Sequence, residues 1–263
     1  MTTNTISFTK KGGVRLRKTA FVTGGSGGIG RSICRMLIES DYDVYFTYLS
    51  NKESAVEVEK LGTNGQIVKG IQCDISQFEN VVDCFSIIKN NTSKLDVLVN
   101  NAGASYDELL INMSNSIWDN SIALNLNGAF YCLNNALPML LENGGGNIIN
   151  ISSIMGSIGW TGLAHYSAAK AGLEALTRTA SVELGRFNIR VNSISPGMLK
   201  TEMSKEAIDK KGNQIKKLTP LKKYGEVEDV AKLVMFLISD DAKFITGENY
   251  FVRGGLGAAL SVK

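Results

Sequence analysis

Short apolar runs alternate with amphipathic helical stretches through nearly all of this 263-residue chain. Strict alternation of that kind builds a parallel sheet with helices on both faces. The strand runs are Thr19–Thr23, Val44–Tyr48, Gln66–Gln72, Leu95–Asn100, Asn147–Ser152, Ile189–Ile194 and Asn249–Val252. Helical patterns fall near Ile29–Glu39, Lys52–Leu61, Gln77–Lys89, Ser114–Leu141, His165–Phe187 and Val227–Ile238. The strands read as nearly continuous apolar runs, as strands covered on both faces should. No Pro- or Ser-rich linker divides the chain and no internal repeat is visible. The expectation is one α/β domain over residues 19–263, doubly wound, with a seven-stranded parallel sheet.

Several function classes are set aside by what the chain lacks. A formal charge of +3 is too slight to argue for a nucleic-acid partner, and no alternation of basic and aromatic residues supports one. No apolar run approaches the roughly 20 residues that cross a bilayer. Met1–Lys18 is polar and carries Lys10, Lys11, Arg15, Arg17 and Lys18 without an apolar stretch. It reads as a flexible N-terminal arm rather than a secretory signal. Cys34, Cys73, Cys84 and Cys132 are widely spaced, which suits reduced thiols in a cytoplasmic protein. With His165 the single histidine, no metal site is expected.

The first strand runs into Thr23-Gly24-Gly25-Ser26-Gly27-Gly28-Ile29-Gly30. Glycines there permit a tight turn and close backbone approach, and the following helix start offers free N–H groups to phosphate. The run contains Gly25-x-Gly27-x-x-Gly30 between strand and helix, the setting of the Rossmann-type dinucleotide fingerprint. Gly25-x-x-x-x-Gly30 is also close to a nucleotide-triphosphate loop, and Arg31, where that loop requires lysine, counts against that reading without deciding it.

A second motif lies at Ile148–Leu173. Tyr166 and Lys170 stand at i and i+4 on a helical pattern, so they share one face one turn apart. An ammonium close to a phenol favours the ionised phenol, whose unperturbed pKa is about 10, and prepares it to exchange a proton with substrate. Ser153 closes the preceding strand, where its hydroxyl can help hold the same oxygen. Ser152 is adjacent, but neighbouring strand residues face opposite ways, so only one should reach the site, and the spacing favours Ser153. Taken alone, Tyr-x-x-x-Lys also fits a half-buried aromatic beside a solvated charge.

These motifs, in this order, resemble the short-chain dehydrogenase/reductase family. Thr23-Gly24-x-x-x-Gly28-x-Gly30 is similar to its cofactor loop, and Asn100-Asn101-Ala102-Gly103 to its Asn-Asn-Ala-Gly motif. Asn125 in Ala123-Leu124-Asn125-Leu126 matches its helix asparagine, and Ser153, Tyr166 and Lys170 match its catalytic residues. Pro196-Gly197-Met198-Leu199-Lys200-Thr201-Glu202-Met203 resembles its nicotinamide-side loop, and the likeness spans about Thr19 to Gly255. The resemblance implies reduction of a ketone. Tyr166 protonates the carbonyl oxygen, Lys170 lowers the phenol pKa and binds the nicotinamide ribose, and Ser153 polarises the carbonyl. Asn125 holds a water that relays protons to Lys170.

The implied cofactor contacts begin with Gly24, Ser26, Gly28, Ile29 and Gly30 at the glycine loop. Asp74 and Ile75 follow at the adenine. Asn101, Ala102 and Gly103 follow the fourth strand, Tyr166 and Lys170 reach the ribose, and Pro196, Gly197, Leu199 and Thr201 lie beside the nicotinamide. An NAD enzyme carries an acidic residue at the end of the second strand. Tyr48 stands there, followed by Ser50, Asn51 and Lys52, whose groups suit a 2′-phosphate. NADPH (NADP+) is therefore favoured, with NADH possible, although Gly27 stands where many NADP-dependent relatives have a basic residue.

Within the family the pattern is most similar to the 3-oxoacyl-carrier-protein reductases, through Ser195–Met203, Tyr224–Ala231 and Ile245-Thr246-Gly247 leading into Gly254-Gly255. The substrate implied is a 3-oxoacyl thioester or related β-keto compound, free or carrier-protein-bound. Leu141–Gly146 lacks the basic residue that carrier binding uses in those relatives, Phe187 occupies the second such place beside Arg186, and Arg253 replaces their aspartate. Residues 104–112, 154–163 and 198–218 are expected to set specificity. Met155, Trp160, Met198 and Met203 would line an apolar pocket or anchor these loops. Lys205–Lys217, rich in charge, suits a mobile lid, and His165 is expected at a subunit or pocket edge. The apolar faces of Ser114–Leu141 and His165–Phe187 imply a homotetramer, as in the family. The rival readings are an NAD(P)-linked alcohol dehydrogenase of a specialised pathway and a non-catalytic cofactor-binding subunit.

Overall fold

The computed structural model describes residues 17–63 and 65–258. The proposed N-terminal arm lies outside the described residues except for its end, where the Arg17 guanidinium donates to Asp41 Oδ1 at 2.7 Å. Seven strands form the sheet: β1 (Thr19–Val22), β2 (Asp43–Tyr48), β3 (Val68–Gln72), β4 (Val97–Asn100), β5 (Gly146–Ile151), β6 (Ile189–Pro196) and β7 (Asn249–Val252). Their order is β3-β2-β1-β4-β5-β6-β7, and every pairing is parallel.

Alternate residues of the central strands feed the two faces, because successive strand side chains point oppositely. Ala20, Val22, Val44, Phe46, Val97, Val99, Ile149 and Ile151 join one core. It is covered by α1 (Gly28–Glu39), α2 (Lys52–Glu59) and α8 (Val227–Leu237). Phe21, Tyr45, Leu98 and Ile148 face the other way. They pack under α3 (Phe78–Lys89), α5 (Gly128–Glu142) and α6 (Ala164–Leu184). The outer strands β3 and β7 are only partly covered. All four cysteines are buried and free. Among the described residues no helix is long and apolar enough to cross a membrane.

Two elements depart from the sequence reading. The run expected as one helix over Ser114–Leu141 is α4 (Asn115–Ile122) continued through a π-helical segment, Ala123–Asn127, into α5. The charged stretch expected as a lid is helical, α7 (Lys205–Leu218). Glu206 and Lys210 pair across one turn of it, while Ile208 and the buried Ile215 turn towards a small third core with Ile154, Tyr224 and Leu256.

Strand order reverses between β1 and β4, and ligands of doubly wound sheets bind at the carboxyl ends of strands beside such a switch. Gly24 follows β1, Asn101 follows β4, and Ser153 lies just past β5. The topology thus gathers motifs far apart in sequence at one end of the sheet.

Candidate active site

The glycine loop is held from both sides. Thr47 of β2 accepts from the Gly24 N–H through its hydroxyl at 2.9 Å, and Thr23 Oγ1 accepts from the N–H groups of Asn101 and Ala102 at 2.9 Å each. The Asn101 amide donates back to the carbonyls of Thr23 and Gly24 at 2.9 and 3.2 Å. Gly24 takes φ +64, a left-handed conformation that favours glycine, and a Cβ on Gly30 would meet the Gly24 carbonyl oxygen at 2.2 Å. The chain therefore folds onto itself between Gly24 and Gly30, leaving no room for a side chain at Gly30.

No side chain caps the start of α1, and the N–H groups of Gly28, Ile29 and Gly30 have no protein acceptor among the described residues. A helix start with free N–H groups is an anion site. Thr201 reaches over this loop, its Cγ2 3.8 Å from where a Gly28 Cβ would stand. A dinucleotide pyrophosphate fits the cradle so formed. At the end of β2, Ser50, Asn51 and Lys52 are exposed, and Lys52 has no partner among the described residues. Asn51 has a local duty as well, since its Oδ1 caps α2 by accepting from Ser54 N at 2.9 Å. Asp74 Oδ1 accepts from the Ser76 N–H and hydroxyl. The Ile75 side chain is buried against Gly128.

Ser153, Tyr166 and Lys170 come together at the other end of the cleft. Ser153 Oγ accepts from Met155 N at 3.2 Å, which leaves its own proton free to point elsewhere. It lies against the Tyr166 phenol, where its hydrogen bonding favours ionisation. Burial opposes this more strongly and pushes the phenol up to about 12. The Lys170 ammonium sits 5.5 Å from the Tyr166 ring centre and donates to the Ile151 carbonyl at 2.9 Å. Burial pulls its pKa down to about 8, with Glu174 acting in the opposite sense. The expectation that Lys170 lowers the phenol pKa is thus corrected, because desolvation dominates at both groups. Ser152 faces away from Tyr166, its hydroxyl donating to Glu174 Oε1 at 2.9 Å.

Asn125 lies in the π segment and is buried. Its amide donates to the carbonyls of Ala104 and Ser121 at 2.9 and 3.1 Å, and its Oδ1 accepts from Ala104 N at 3.2 Å. A Cβ on Gly103 would stand 2.6 Å from Asn125 Oδ1 and 3.3 Å from Lys170 Nζ. Those two polar groups therefore face one small space that only a glycine leaves open.

His165 is not at an edge. It is fully buried, with Nε2 2.9 Å from the Tyr106 carbonyl and Nδ1 2.9 Å from Ser121 Oγ. A carbonyl can only accept, so Nε2 donates to Tyr106. The histidine ties the loop after Gly103 to α4. Met155, Trp160 and Met198 pack against the third core and anchor their loops, whereas Met203 is exposed. The reading from sequence placed Thr23 in the loop motif without a role for its hydroxyl, and it passed over Thr47 and also Glu174, which looks like an ordinary helix-surface charge.

A parallel sheet with a dinucleotide cradle at its switch point, beside a paired Tyr and Lys, defines a nicotinamide-dependent oxidoreductase acting on CH–OH groups. Residues 24–257 match a family model described as Enoyl-(Acyl carrier protein) reductase, and the chain belongs to the short-chain dehydrogenase/reductase family. It is 40% identical over 242 residues to the 3-oxoacyl-(acyl-carrier-protein) reductase FabG of Staphylococcus epidermidis, covering 92% of this chain and 99% of that one. The protein of the same name from Aquifex aeolicus is 34% identical over 240 residues, with 91% and 97% covered. A solved short-chain type dehydrogenase/reductase from Mycobacterium ulcerans superposes with a TM-score of 0.86 at 31% identity, covering 91% of this chain and 89% of that one.

Proposed function

We propose that the chain reduces a 3-oxoacyl thioester, or a closely related β-keto compound, to the secondary alcohol with NADPH. The observation that carries this reading is the convergence of the Ser153 hydroxyl and the Tyr166 phenol beside Lys170. Two O–H groups aimed at one place suit a carbonyl oxygen. When bound, the reduced nicotinamide supplies the hydride. Tyr166 gives its proton to the oxygen, and Ser153 donates a hydrogen bond that strengthens as negative charge develops there. Lys170 holds positive charge beside the phenol and binds the ribose. Asn125 keeps a water over Gly103, through which protons return to Lys170.

In this reading Gly24, Ser26, Gly28, Ile29 and Gly30 take the pyrophosphate, and Asp74 and Ile75 border the adenine. Asn101, Ala102 and Gly103 line the ribose side, and Pro196, Gly197, Leu199 and Thr201 close over the nicotinamide. The NADPH preference is supported by Lys52, which has no partner among the described residues, and by the absence of a carboxylate at position 48, where Tyr48 stands. The thioester is supported by the names of the relatives. The family model's description speaks of enoyl reduction, in which the same hydroxyls would serve the thioester carbonyl oxygen; the names of the relatives favour the 3-oxo compound. The exposed Leu141 and Phe187 stand where carrier-binding bases were sought, and they favour a free substrate or a specialised carrier. Free buried thiols fit the cytoplasm, and the exposed apolar faces of α5 and α6 fit a homotetramer.

The test is oxidation of NADPH and, separately, NADH with a short 3-oxoacyl thioester, free and carrier-bound, and with the matching enoyl thioester. Rapid NADPH oxidation with the 3-oxo compound is expected, together with loss of at least about a thousandfold in Tyr166→Phe, the order of a general acid's contribution. Turnover of the enoyl compound alone, or near-wild-type activity in Tyr166→Phe, overturns the reading.

A further inference from the structure

Glu174 lies one turn beyond Lys170 on α6 and is only 7% exposed, yet it forms no ion pair with that lysine. Its carboxylate is spent on hydroxyls. Oε1 accepts from Ser152 Oγ and from Ser195 Oγ, both at 2.9 Å, and Oε2 accepts from Ser157 Oγ at 3.4 Å. These three serines belong to different parts of the site. Ser152 precedes Ser153 at the end of β5, Ser195 precedes Pro196-Gly197 at the end of β6, and Ser157 follows the short turn Ile154–Gly156 that Ser153 caps.

The hydrogen-bond accounting extends to β7. Ser195 Oγ is 2.9 Å from Glu174 Oε1 and 2.8 Å from the Asn249 amide, and Ser193 Oγ is 3.0 Å from that same amide. Both serine hydroxyls face Asn249 Oδ1. Glu174 also explains Gly156, since a Cβ there would stand 2.7 Å from Oε1 and 3.1 Å from the Ala171 N–H nitrogen. Buried charge is retained only where it is hydrogen-bonded, and here it is bonded to the pieces that carry Ser153 and the Pro196–Thr201 loop.

We infer that Glu174 is a positioning residue for the reduction, fixing the ends of β5 and β6 through Ser152 and Ser195 and setting a carboxylate one helical turn from Lys170. The inference rests on the role proposed above for Lys170. Burial drives that lysine towards its neutral form, and Glu174 is the charge that opposes it. The other charged groups on elements against α6 are engaged or turned away. Asp119 of α4 is exposed, Arg190 of β6 donates to the carbonyls of Ile245 and Ser239, and Arg186 stacks on Phe187. On α6 itself Arg178 and Glu183 are exposed.

The experiment is the pH profile of kcat/KM for NADPH-dependent reduction in wild type, Glu174→Gln, Ser195→Ala, Ser152→Ala and Tyr166→Phe. Wild type is expected to lose activity above about pH 8, where Lys170 loses its proton. In Glu174→Gln that limb moves to lower pH by about one unit, the size of effect a single nearby opposite charge has. Ser195→Ala keeps the charge, so it leaves the limb in place and raises KM for NADPH severalfold through the Pro196–Gly197 loop. Ser152→Ala lowers kcat with KM held. An unmoved limb in Glu174→Gln together with reduced kcat would leave only a packing role and sink the inference. If Glu174→Gln does not fold, kinetics of both serine variants within about twofold of wild type would refute it as well. Activity surviving in Tyr166→Phe would instead mean that the reading of the site is at fault.

Discussion

A cation one helical turn from a phenol should help it ionise, yet Tyr166 is pushed up to about 12 and Lys170 down to about 8. Burial penalises charge on each group, and here that outweighs their mutual attraction. The outcome suits reduction. At neutral pH the phenol keeps its proton, and it remains a far stronger acid than the alcohol it helps to form, whose conjugate base compares with hydroxide (water pKa about 15.7). Stability must follow the same shifts. Lys170 binds its proton more weakly folded than unfolded, so between about pH 8 and 10.5 the unfolded chain holds more protons and folding gains as pH rises. Below that window both states are protonated and the full penalty, about 3 kcal/mol, is present. Tyr166 acts later and oppositely, its contribution being complete below about pH 10 and lost as pH rises towards 12. Lys170→Met is expected to remove the gain between pH 8 and 10.5. Urea midpoints of wild type and variant near pH 7 and near pH 10 would show it, and a constant difference between them would contradict the shift. At this scale Ser153, Tyr166 and Lys170 were legible because their chemistry depends on local spacing. Glu174 was not, because a glutamate on a helix reads as solvated until its three serine partners arrive from elsewhere.

Element boundaries follow the same division. The strands and most helices are legible from periodicity, since each must bury an apolar face locally. The π segment Ala123–Asn127 is invisible to that reading, because the apolar stripe continues through it. Its cause is tertiary. Asn125 turns its amide to the Ala104 backbone across the cleft and back to the Ser121 carbonyl, and such side-chain bonds compete with the helical ladder. π-bulges of this kind concentrate at functional sites. Asn125→Ala leaves the Ala104 N–H and carbonyl without their partner, at a cost of about 1–3 kcal/mol. Faster amide exchange at Ala104 and a lower kcat are expected together, and exchange unchanged at Ala104 would show that the loop is held by other contacts. The helix α7 escaped detection for the opposite reason. Lysines and acidic residues dominate it, and its few apolar anchors, Ile208 and Ile215, find a partner core only when Ile154, Tyr224 and Leu256 assemble.

For the whole molecule the seven-stranded parallel sheet was foreseeable, but the partner surface was not fully so. Exposed apolar groups run along the helices on one side, with Trp118 on α4, Phe130 and Leu141 on α5 and Val182 on α6. Val182 is 82% exposed near the end of a helix whose opposite face is buried under the sheet. Large apolar side chains left exposed on these helices suit an interaction site, and a symmetric oligomer would bury them against its own copy. The proposed homotetramer therefore predicts that Val182→Glu, placing a charge in the centre of that contact, lowers the assembly state while leaving the fold intact. Light scattering after size-exclusion chromatography measures the mass directly. A wild-type mass near 28.4 kDa, the mass of one chain, would exclude the tetramer. An unshifted higher mass in Val182→Glu would place the contact on another face. Because α6 carries both Val182 and the Tyr166–Lys170–Glu174 face, dissociation is expected to reduce kcat as well. A variant that is monomeric yet fully active would show that one chain holds its own site in register.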